Sequence, residues 1–380
     1  MPPPFLLYHK IICISIQFRI FPIVKQIIIT NNNEKKQKRG KKMAKGIIEL
    51  DASFISTGNA VGKKEFEGPL GQLFDTHDTD DRFGKNTWEK AESEMQRIAF
   101  NMALKKADLG FEDIGAIFAG DLLNQCAGSS YGLLGCMIPY FGIYGACSTS
   151  GEGIMLASIL TTHKIFDRCA AVTSSHNCSA ERQYRTPIEY GGQRTPTSQW
   201  TVTGSGAFII GDTDAGKVKI KAGLPGRVID KGINDANNMG AAMAPAICDS
   251  FCRFFSESGE RPEDYDLILT GDLGHEGSSI LRKLMHIEGY KFEENYTDCG
   301  ILIFDKSTQD THSGGSGCGC SAVVMASYLL PKLVRGEIRK MLFLGTGAMM
   351  SPSSIQQGLA IPGIAHLLVI ESPQNTKGGK

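Results

Sequence analysis

The chain has 380 residues, of which 42% are hydrophobic and 44 are glycines, which is enough apolar sequence for one large domain or two of half its size. Its 40 basic and 40 acidic side chains cancel, and no basic stripe interleaved with aromatic residues follows residue 42, which argues against nucleic acid as a partner. The eleven cysteines show neither a disulfide framework nor zinc spacing, since Cys318 and Cys320 have no second pair, so we predict a protein of a reducing compartment with no metal and no cofactor.

The first 42 residues differ in composition from the rest of the chain, since they are rich in Ile, Lys and Asn. Lys10, Arg19 and Lys25 interrupt their apolar runs, whereas a membrane helix needs about 20 consecutive apolar residues. No cleavage site of small residues precedes Met43. We predict that residues 1–42 are a mis-translated or disordered leader and that translation begins at Met43, with a membrane-surface anchor as the alternative.

From Met43 onward the sequence predicts two halves with the same order of elements. The first half contains the following strands and helix. An apolar strand ends at Asp121, and a turn rich in Gly, Ser and Cys carries Cys147 into a helix of small residues over 148–160. A second apolar strand then ends near His176. Helices built of such small residues suit a central position, packed closely between sheets.

The second half repeats this order of elements. An apolar strand leads to Asp272, a glycine-rich turn opens a helix over 321–330, and a further strand ends near Ser351. Apolar strands that alternate with helices predict an α/β fold with a sheet covered on both faces. We therefore divide the chain into an N-terminal half, residues 43–213, and a C-terminal half, residues 214–380.

Polar side chains at the carboxyl ends of strands mark the ligand edge of such a fold. Asp121, His176 and Asp272 occupy these places, and Cys147 joins them. Cys147 stands between a tight turn and a helix start, where backbone N–H groups and the helix dipole favour a thiolate, so the position suits a nucleophile. The alternative is a small buried cysteine that only packs in the turn.

Two strings within these elements carry a family resemblance. "GACSTS" at 145–150 resembles the nucleophile elbow of the thiolase and ketoacyl synthase superfamily, and "TGSGAFIIGD" at 203–212 resembles its glycine-rich closing strand. The resemblance implies a thiolase-like fold of five layers, αβαβα, made of two pseudo-symmetric halves. It also implies a homodimer.

Further strings narrow the resemblance to one family. "KEFEGPLGQLFD", "AGDLLNQ", "YDLILTGDLG" and "GGSGCGCSAVV" together resemble the stage V sporulation protein AD family of spore-forming Firmicutes, and the similarity runs from about residue 47 to the C-terminus. The resemblance implies a spore-formation protein that binds dipicolinic acid, pyridine-2,6-dicarboxylate, with or without calcium. It also implies action with membrane proteins of the same sporulation operon, on the cytoplasmic side of the forespore and peripheral to the inner spore membrane.

The residues can be tested separately against acyl-transfer chemistry. The enzymes of the superfamily need a cysteine and two further groups, His with His or His with Asn, which polarise the acyl carbonyl. The matching loops here are 270–273 and 314–318, and neither holds a histidine or an asparagine. The carboxylate of Asp272 would repel a thioester oxyanion. Only a loop shift that brought His275 or His312 into the cleft would restore the missing group.

Binding of a dicarboxylate needs different groups, namely cations or backbone N–H groups and a flat apolar slot for the ring. We predict polar contacts from His176 and from Arg182, which lies in a segment of 24 residues, 179–202, without clear periodicity. Met243 is a candidate for the slot, together with Met239 and Pro245. The ordinary alternatives are a solvated, ion-paired helix face for Arg182 and packing in the core for His176 and Met243.

Asp121 and Asp272 occupy corresponding places in the two halves, so they could lie on opposite sides of one cleft, where they would bind the ligand, hold water or cap helices. Three functions compete for this cleft. The leading one is a subunit that binds dipicolinic acid without thioester turnover. The second is a thiolase-type acyltransferase that uses Cys147, and the third is a structural scaffold of the same fold with an occluded cleft.

Overall fold

The structure is a computed structural model that describes residues 46–184 and 194–373. The predicted leader, residues 1–42, lies outside these ranges. All of the predicted ligand-binding residues lie inside them: Asp121, Cys147, His176, Arg182, Met243 and Asp272.

The described ranges contain both strands and helices along their whole length. The strands are β1 (Ile48–Val61), β2 (Ala116–Gly120), β3 (Tyr140–Gly142), β4 (Arg168–Ser175), β5 (Trp200–Thr201), β6 (Gly204–Asp212), β7 (Val218–Leu224), β8 (Leu267–Thr270), β9 (Tyr296–Asp298), β10 (Gly315–Ser316), β11 (Lys340–Ala348) and β12 (Gly363–Glu371). The helices are α1 (Lys63–Phe66), α2 (Trp88–Ala107), α3 (Ala127–Gly132), α4 (Thr149–Thr162), α5 (Asn177–Tyr184), α6 (Met239–Ser258), α7 (Gly274–Ile287), α8 (Cys299–Leu302), α9 (Cys318–Val324), α10 (Leu330–Arg335) and α11 (Pro352–Gln356). No helix in the described ranges combines the length and the apolar composition that crossing a bilayer requires.

Ten of the strands form one mixed sheet in the order β3-β2-β4-β6-β1-β7-β12-β11-β8-β9. β1 and β7 pair antiparallel at its centre. Outward from the centre, the first half runs β1, β6, β4, β2, β3 and the second half runs β7, β12, β11, β8, β9. With the short strands β5 and β10 left out, because they pair with each other outside this sheet, the two halves follow the same order. β2 and β8 therefore occupy equivalent places, and Asp121 and Asp272 follow their carboxyl ends. The division predicted at residues 213 and 214 falls between β6 and β7, and as a domain boundary it stays a prediction.

The helices form three layers around the two halves of the sheet. α4 contacts β4 and β1 as well as β11 of the other half, and α9 contacts β6 and β4, so these helices lie between the halves. α2 and α3 cover the outer face of the first half, and α6 and α7 cover that of the second. Buried apolar residues form one central cluster and one cluster on each outer side. The predicted five-layered α/β arrangement is confirmed.

Small residues let the central helices approach the sheet closely. A Cβ atom on Gly151 of α4 would lie 3.1 Å from the Cα atom of Gly345 in β11. One on Gly206 of β6 would lie 2.8 Å from backbone atoms of Ala322 in α9. Since protein interiors are packed as densely as organic crystals, larger residues at these positions would push the layers apart.

The two predicted central helices are both present, with one local difference. The first, expected over 148–160, is α4. The second, expected over 321–330, contains a π-helical turn at Met325–Leu329 between α9 and α10. Pro331 follows this turn. Because proline has no N–H to donate and its ring crowds the preceding turn, the regular hydrogen-bond ladder widens there.

Candidate ligand-binding site

A tight turn places Cys147 directly before α4. Ala146 adopts a left-handed conformation with φ of 51°, and the hydroxyls of Ser148 and Thr149 donate to the carbonyls of Gly145 and Ala146, each at 2.6 Å. These local hydrogen bonds hold the first residues of the helix against the turn that precedes them. The side chain of Cys147 is buried, with 6% of its surface exposed.

A cavity of about 40 Å³ adjoins the Cys147 side chain. A single water needs at least about 10–15 Å³ of such a volume, so the cavity has room for only a few water molecules. Its polar lining consists of Glu181, Thr201 and Ser316. The rest of its lining is apolar or aromatic and comprises Leu122, Tyr144, Ala146, Ala180, Tyr184, Met239, Ala348 and Met350.

Asp272 comes from the second half of the chain and lies beneath this cavity, with 1% of its surface exposed. Its Oδ1 atom accepts a hydrogen bond from Thr346 Oγ1 at 2.6 Å. Its Oδ2 atom accepts from Ser316 Oγ at 3.0 Å and from the backbone N–H of Gly317 at 2.9 Å. Ser316 also lies 3.9 Å from the sulfur of Cys147. Cys147 and Asp272 are therefore brought together at one site.

The electrostatics of this pair correct the thiolate expected at Cys147. Burial raises the pKa of the Cys147 thiol well above its ordinary value, and the Asp272 carboxylate beside it acts in the same direction. Burial also raises the pKa of Asp272, although hydrogen bonds from Cys147 and Thr346 partly oppose this. The favourable field of a helix start amounts to only about 1 kcal/mol, so burial and the neighbouring carboxylate outweigh it. The thiol is protonated at neutral pH.

Asp121 stabilises the backbone of the first half and does not line the cavity, although its neighbour Leu122 does. Its Oδ1 atom accepts from the N–H of Leu123 at 2.9 Å, and its Oδ2 atom accepts from the N–H and the hydroxyl of Ser129 at 2.7 and 2.6 Å. Burial raises the pKa of Asp121. Burial first, and then the charge of Asp121, raises the pKa of the nearby Glu92 to about 8.

His176 is fully buried and likewise does not line the cavity. Its Nε2 atom lies 2.8 Å from the carbonyl of Asp81, to which it donates, and its Nδ1 atom accepts from the N–H of Cys178 at 3.2 Å. This pattern fixes the neutral tautomer, and burial lowers the pKa of His176. Of the two alternatives in the sequence, the packed core histidine matches its surroundings.

Arg182 lies on α5, where its half-exposed side chain forms an ion pair with Glu89 of α2. The helix α5, Asn177–Tyr184, covers the start of the segment in which the sequence shows no clear periodicity, and the ion-paired helix face was the alternative for Arg182. Arg182 does not line the cavity, but Ala180 and Tyr184 of the same helix do. Arg185, in the same segment, lies outside the described residues.

Met243 does not line the cavity, which corrects its expected place in the slot. It is fully buried in the outer apolar cluster of the second half. Met239, which was also a candidate for the slot, lies one turn earlier on α6 and lines the cavity. Both methionines belong to a helix that is buried along most of its first four turns, so the sequence pattern alone did not distinguish the side that faces the cavity.

The structure also shows cavity residues that sequence reasoning missed, above all Tyr144 and Tyr184. Their hydroxyl oxygens lie 3.1 Å apart. Tyr144 directly precedes the turn at Gly145, and this was the one available signal for its role. Neither His275 nor His312 lines the described cavity: His275 lies in the first turn of α7, and His312 contacts Thr195 and Asp310.

Comparison with known proteins identifies the family. The model of the family described as stage V sporulation protein AD matches residues 44–371. Stage V sporulation protein AD of Bacillus subtilis (strain 168) is 44% identical over 316 residues, which cover 83% of this chain and 93% of that protein.

Comparison with solved structures shows that this chain is similar to them in fold only. A variant of OleA from Xanthomonas campestris has a TM-score of 0.55 at 15% identity, with 85% of this chain and 100% of that chain covered. 3-Oxoacyl-[acyl-carrier-protein] synthase III from Aquifex aeolicus VF5 has a TM-score of 0.50 at 15% identity, with 84% and 99% covered. The family match, the identity to the Bacillus protein and the thiolase-like arrangement of layers agree, and the chain belongs to the stage V sporulation protein AD family.

Proposed function

We propose that this protein serves spore formation by binding dipicolinic acid in the cavity at Cys147, for transfer into the developing spore. The observation that carries the proposal is the lining of this cavity. It offers aromatic and thioether walls from Tyr144, Tyr184, Met239 and Met350, which suit a flat ring, and a protonated thiol in place of a nucleophile.

The chemistry beside Cys147 favours binding over acyl transfer. A nucleophilic cysteine needs a base or a lowered pKa, whereas the group next to this thiol is the carboxylate of Asp272. An acyl intermediate would develop an oxyanion, and a nearby carboxylate raises the energy of that charge. No histidine or asparagine occurs among the described residues that line the cavity.

The carboxylates of the ligand need polar partners at the edge of the cavity. Arg182 is the cation of α5, the helix that supplies lining residues Glu181 and Tyr184, and it would have to leave its ion pair with Glu89 to reach a ligand carboxylate. Glu181 accepts a hydrogen bond from Thr201 at 3.3 Å. Its carboxylate suits a ligand that carries calcium, because calcium takes carboxylate oxygens as ligands.

The proposed partners include membrane proteins of the same sporulation operon, with the protein peripheral to the inner spore membrane on its cytoplasmic side. The family resemblance supports this part of the proposal. Dipicolinic acid carries two carboxylates, so its passage through a lipid bilayer requires membrane proteins, and a binding protein would supply the ligand to them.

A second copy of the chain is the proposed partner at the β3 edge of the sheet. All three residues of β3 are exposed, and the apolar side chains of Leu134 and Met137 nearby are 77% and 95% exposed. At the opposite edge, Tyr296 and Asp298 of β9 are buried. An open strand edge beside an exposed apolar patch favours pairing with the same edge of another copy around a two-fold axis.

The test is equilibrium binding of dipicolinic acid, with and without calcium, to protein that starts at Met43. An acyl-CoA labelling assay of the same sample runs in parallel, with Cys147→Ala as the control. We expect saturable binding and no acylation of Cys147. Acylation of Cys147 without dipicolinate binding would replace the proposal with an acyltransferase.

A further inference from the structure

Two tyrosines from distant parts of the chain line the cavity at Cys147 together. Tyr144 belongs to the connection between β3 and α4, and Tyr184 is the last residue of α5. Their hydroxyl oxygens lie 3.1 Å apart. The hydroxyl of Tyr184 donates to the carbonyl of Leu122 at 2.8 Å, so Tyr144 supplies the proton for the bond between the two tyrosines. The tyrosine pair therefore joins two segments across the cavity.

The two tyrosines are not held equally. The end of α5 is anchored by Gln183, whose amide donates to the carbonyl of Leu122 at 2.9 Å and accepts from the N–H of Asn124 at 3.0 Å. Tyr144 has no comparable anchor in the described residues, because its single hydroxyl proton has only one acceptor besides Tyr184, the carbonyl of Met350 at 3.4 Å. Tyr144 is also 39% exposed. Its side chain can therefore swing outward while α5 stays in place.

We infer that Tyr144 is the gate of this cavity and controls the access of small molecules to Cys147. The cavity of about 40 Å³ has room for only a few waters, so a ring-bearing ligand fits only after a wall has moved. Breaking the hydroxyl contact with Tyr184 is the smallest change that opens a wall. The inference rests on the proposed function for the identity of the ligand, but the gate itself is measurable without that ligand.

The first experiment measures how fast iodoacetamide alkylates Cys147, resolved from the other cysteines by peptide mass spectrometry. Tyr144→Phe and Tyr184→Phe each remove the contact between the hydroxyls. Both variants keep a donor on the Leu122 carbonyl, from Tyr184 or from Gln183, so neither leaves a buried acceptor without a partner. We expect each to accelerate alkylation about two- to tenfold, the effect of one lost hydrogen bond on an opening equilibrium.

Tyr131→Phe is the matched control, because Tyr131 is 71% exposed and does not line the cavity. Alkylation of Cys147 in the Tyr131→Phe variant should be as fast as in the unmodified protein. An unchanged or undetectable rate in both Tyr144→Phe and Tyr184→Phe overturns the gate. An equal acceleration in Tyr131→Phe overturns it as well, since it would show a general loosening.

The second experiment measures the association and dissociation rates of dipicolinic acid by stopped flow in the same proteins. The gate predicts that both rates rise in Tyr144→Phe. Faster alkylation without any dipicolinate binding leaves the gate in place and removes the proposed function. Dipicolinate binding with unchanged rates of exchange and alkylation would support the proposed function and overturn the gate.

Discussion

Cys147 and Asp272 come from different halves of the chain and share one polar neighbour, Ser316. The hydroxyl of Ser316 lies 3.9 Å from the sulfur of Cys147 and donates to the carboxylate of Asp272 at 3.0 Å. Where an acyl-transfer enzyme would hold its thiol beside a base or an electrophilic donor, this protein holds it beside a buried carboxylate. Burial first, and then this carboxylate, raise the pKa of the thiol, and the proposal of binding without acyl transfer rests on this environment.

Replacement of Asp272 should make Cys147 more reactive. Asp272→Asn removes the negative charge beside the thiol, so the pKa of Cys147 falls and a larger fraction is thiolate at a given pH. We expect iodoacetamide to alkylate Cys147 about tenfold faster at pH 8, the effect of a one-unit change in pKa. Asp266→Asn, at an exposed ion pair with Arg339, is the control. An unchanged rate in folded Asp272→Asn protein would show that the carboxylate does not suppress the thiol.

Glu65 should make the stability of the fold depend on pH. Burial raises its pKa from 4.5 to about 8, although the N–H of Thr203 donates to one of its oxygens. A carboxyl group with a raised folded pKa contributes its full stability below pH 4.5, and this contribution is lost as the pH rises to about 8. The free energy of unfolding should therefore fall over this range.

Glu65→Gln tests this prediction, because an amide of the same shape does not titrate. Urea unfolding between pH 4.5 and 8 should show a smaller decline in the variant than in the unmodified protein. The control is Glu67→Gln at an exposed i,i+4 pair with Lys63, which should keep the original decline. Parallel pH profiles for Glu65→Gln and the unmodified protein would mean that Glu65 ionises without penalty.

Gly206 should tolerate no side chain. A Cβ atom at this position would lie 2.8 Å from backbone atoms of Ala322 in the central helix α9, and backbone cannot rotate away. Gly206→Ala should lower the free energy of unfolding by about 1–3 kcal/mol. Gly110→Ala is the matched control, since its Cβ would meet only the carboxylate end of the exposed Glu112. Equal stability of Gly206→Ala and Gly110→Ala would contradict the close packing of β6 and α9.

A charge beside the β3 edge should weaken self-association. Met137 is 95% exposed, and in the proposed dimer this side chain is buried against the second copy. Met137→Glu should raise the dissociation constant of the dimer about tenfold, which corresponds to about 1.4 kcal/mol. Analytical ultracentrifugation measures it, with Ile165→Glu as the control because Ile165 is 61% exposed on a different part of the chain. Unaltered dimers of Met137→Glu would place the interface elsewhere.

The α/β fold with a covered sheet, and the approach of Cys147 to Asp272, could be predicted from the residues for a simple physical reason, whereas the five layers were implied by the family resemblance. Strands that repeat in the same order must occupy equivalent places in a pseudo-symmetric sheet, and polar residues after their carboxyl ends face one edge. The same rule also selected Asp121 and His176, which instead satisfy nearby backbone groups. Buried backbone groups at a strand end need hydrogen-bond partners just as a ligand does. The sequence alone does not show whether a polar side chain there bonds to the backbone or to a ligand.

The walls of the cavity were beyond sequence reasoning because they come from distant segments. Tyr144 and Tyr184 are 40 residues apart, and no periodicity links them. Met239 and Met243 differ by one helical turn in a helix buried along most of its length, so the pattern indicates burial but not direction. The charge of Asp272 could be read from the sequence, but its effect on the thiol depends on the distance between them and on burial.

The most direct test of the account is protection of Cys147 by the proposed ligand. Alkylation of Cys147 by iodoacetamide is followed in the Tyr144→Phe protein, where the gate predicts faster access, with and without dipicolinic acid at a concentration that saturates binding. If the ligand occupies the cavity, the rate at Cys147 should fall about tenfold or more, as expected at about 90% occupancy, while the rate at the half-buried Cys178 stays the same. An unchanged rate at Cys147 under saturating ligand would contradict the account, because the ligand would then bind at another site.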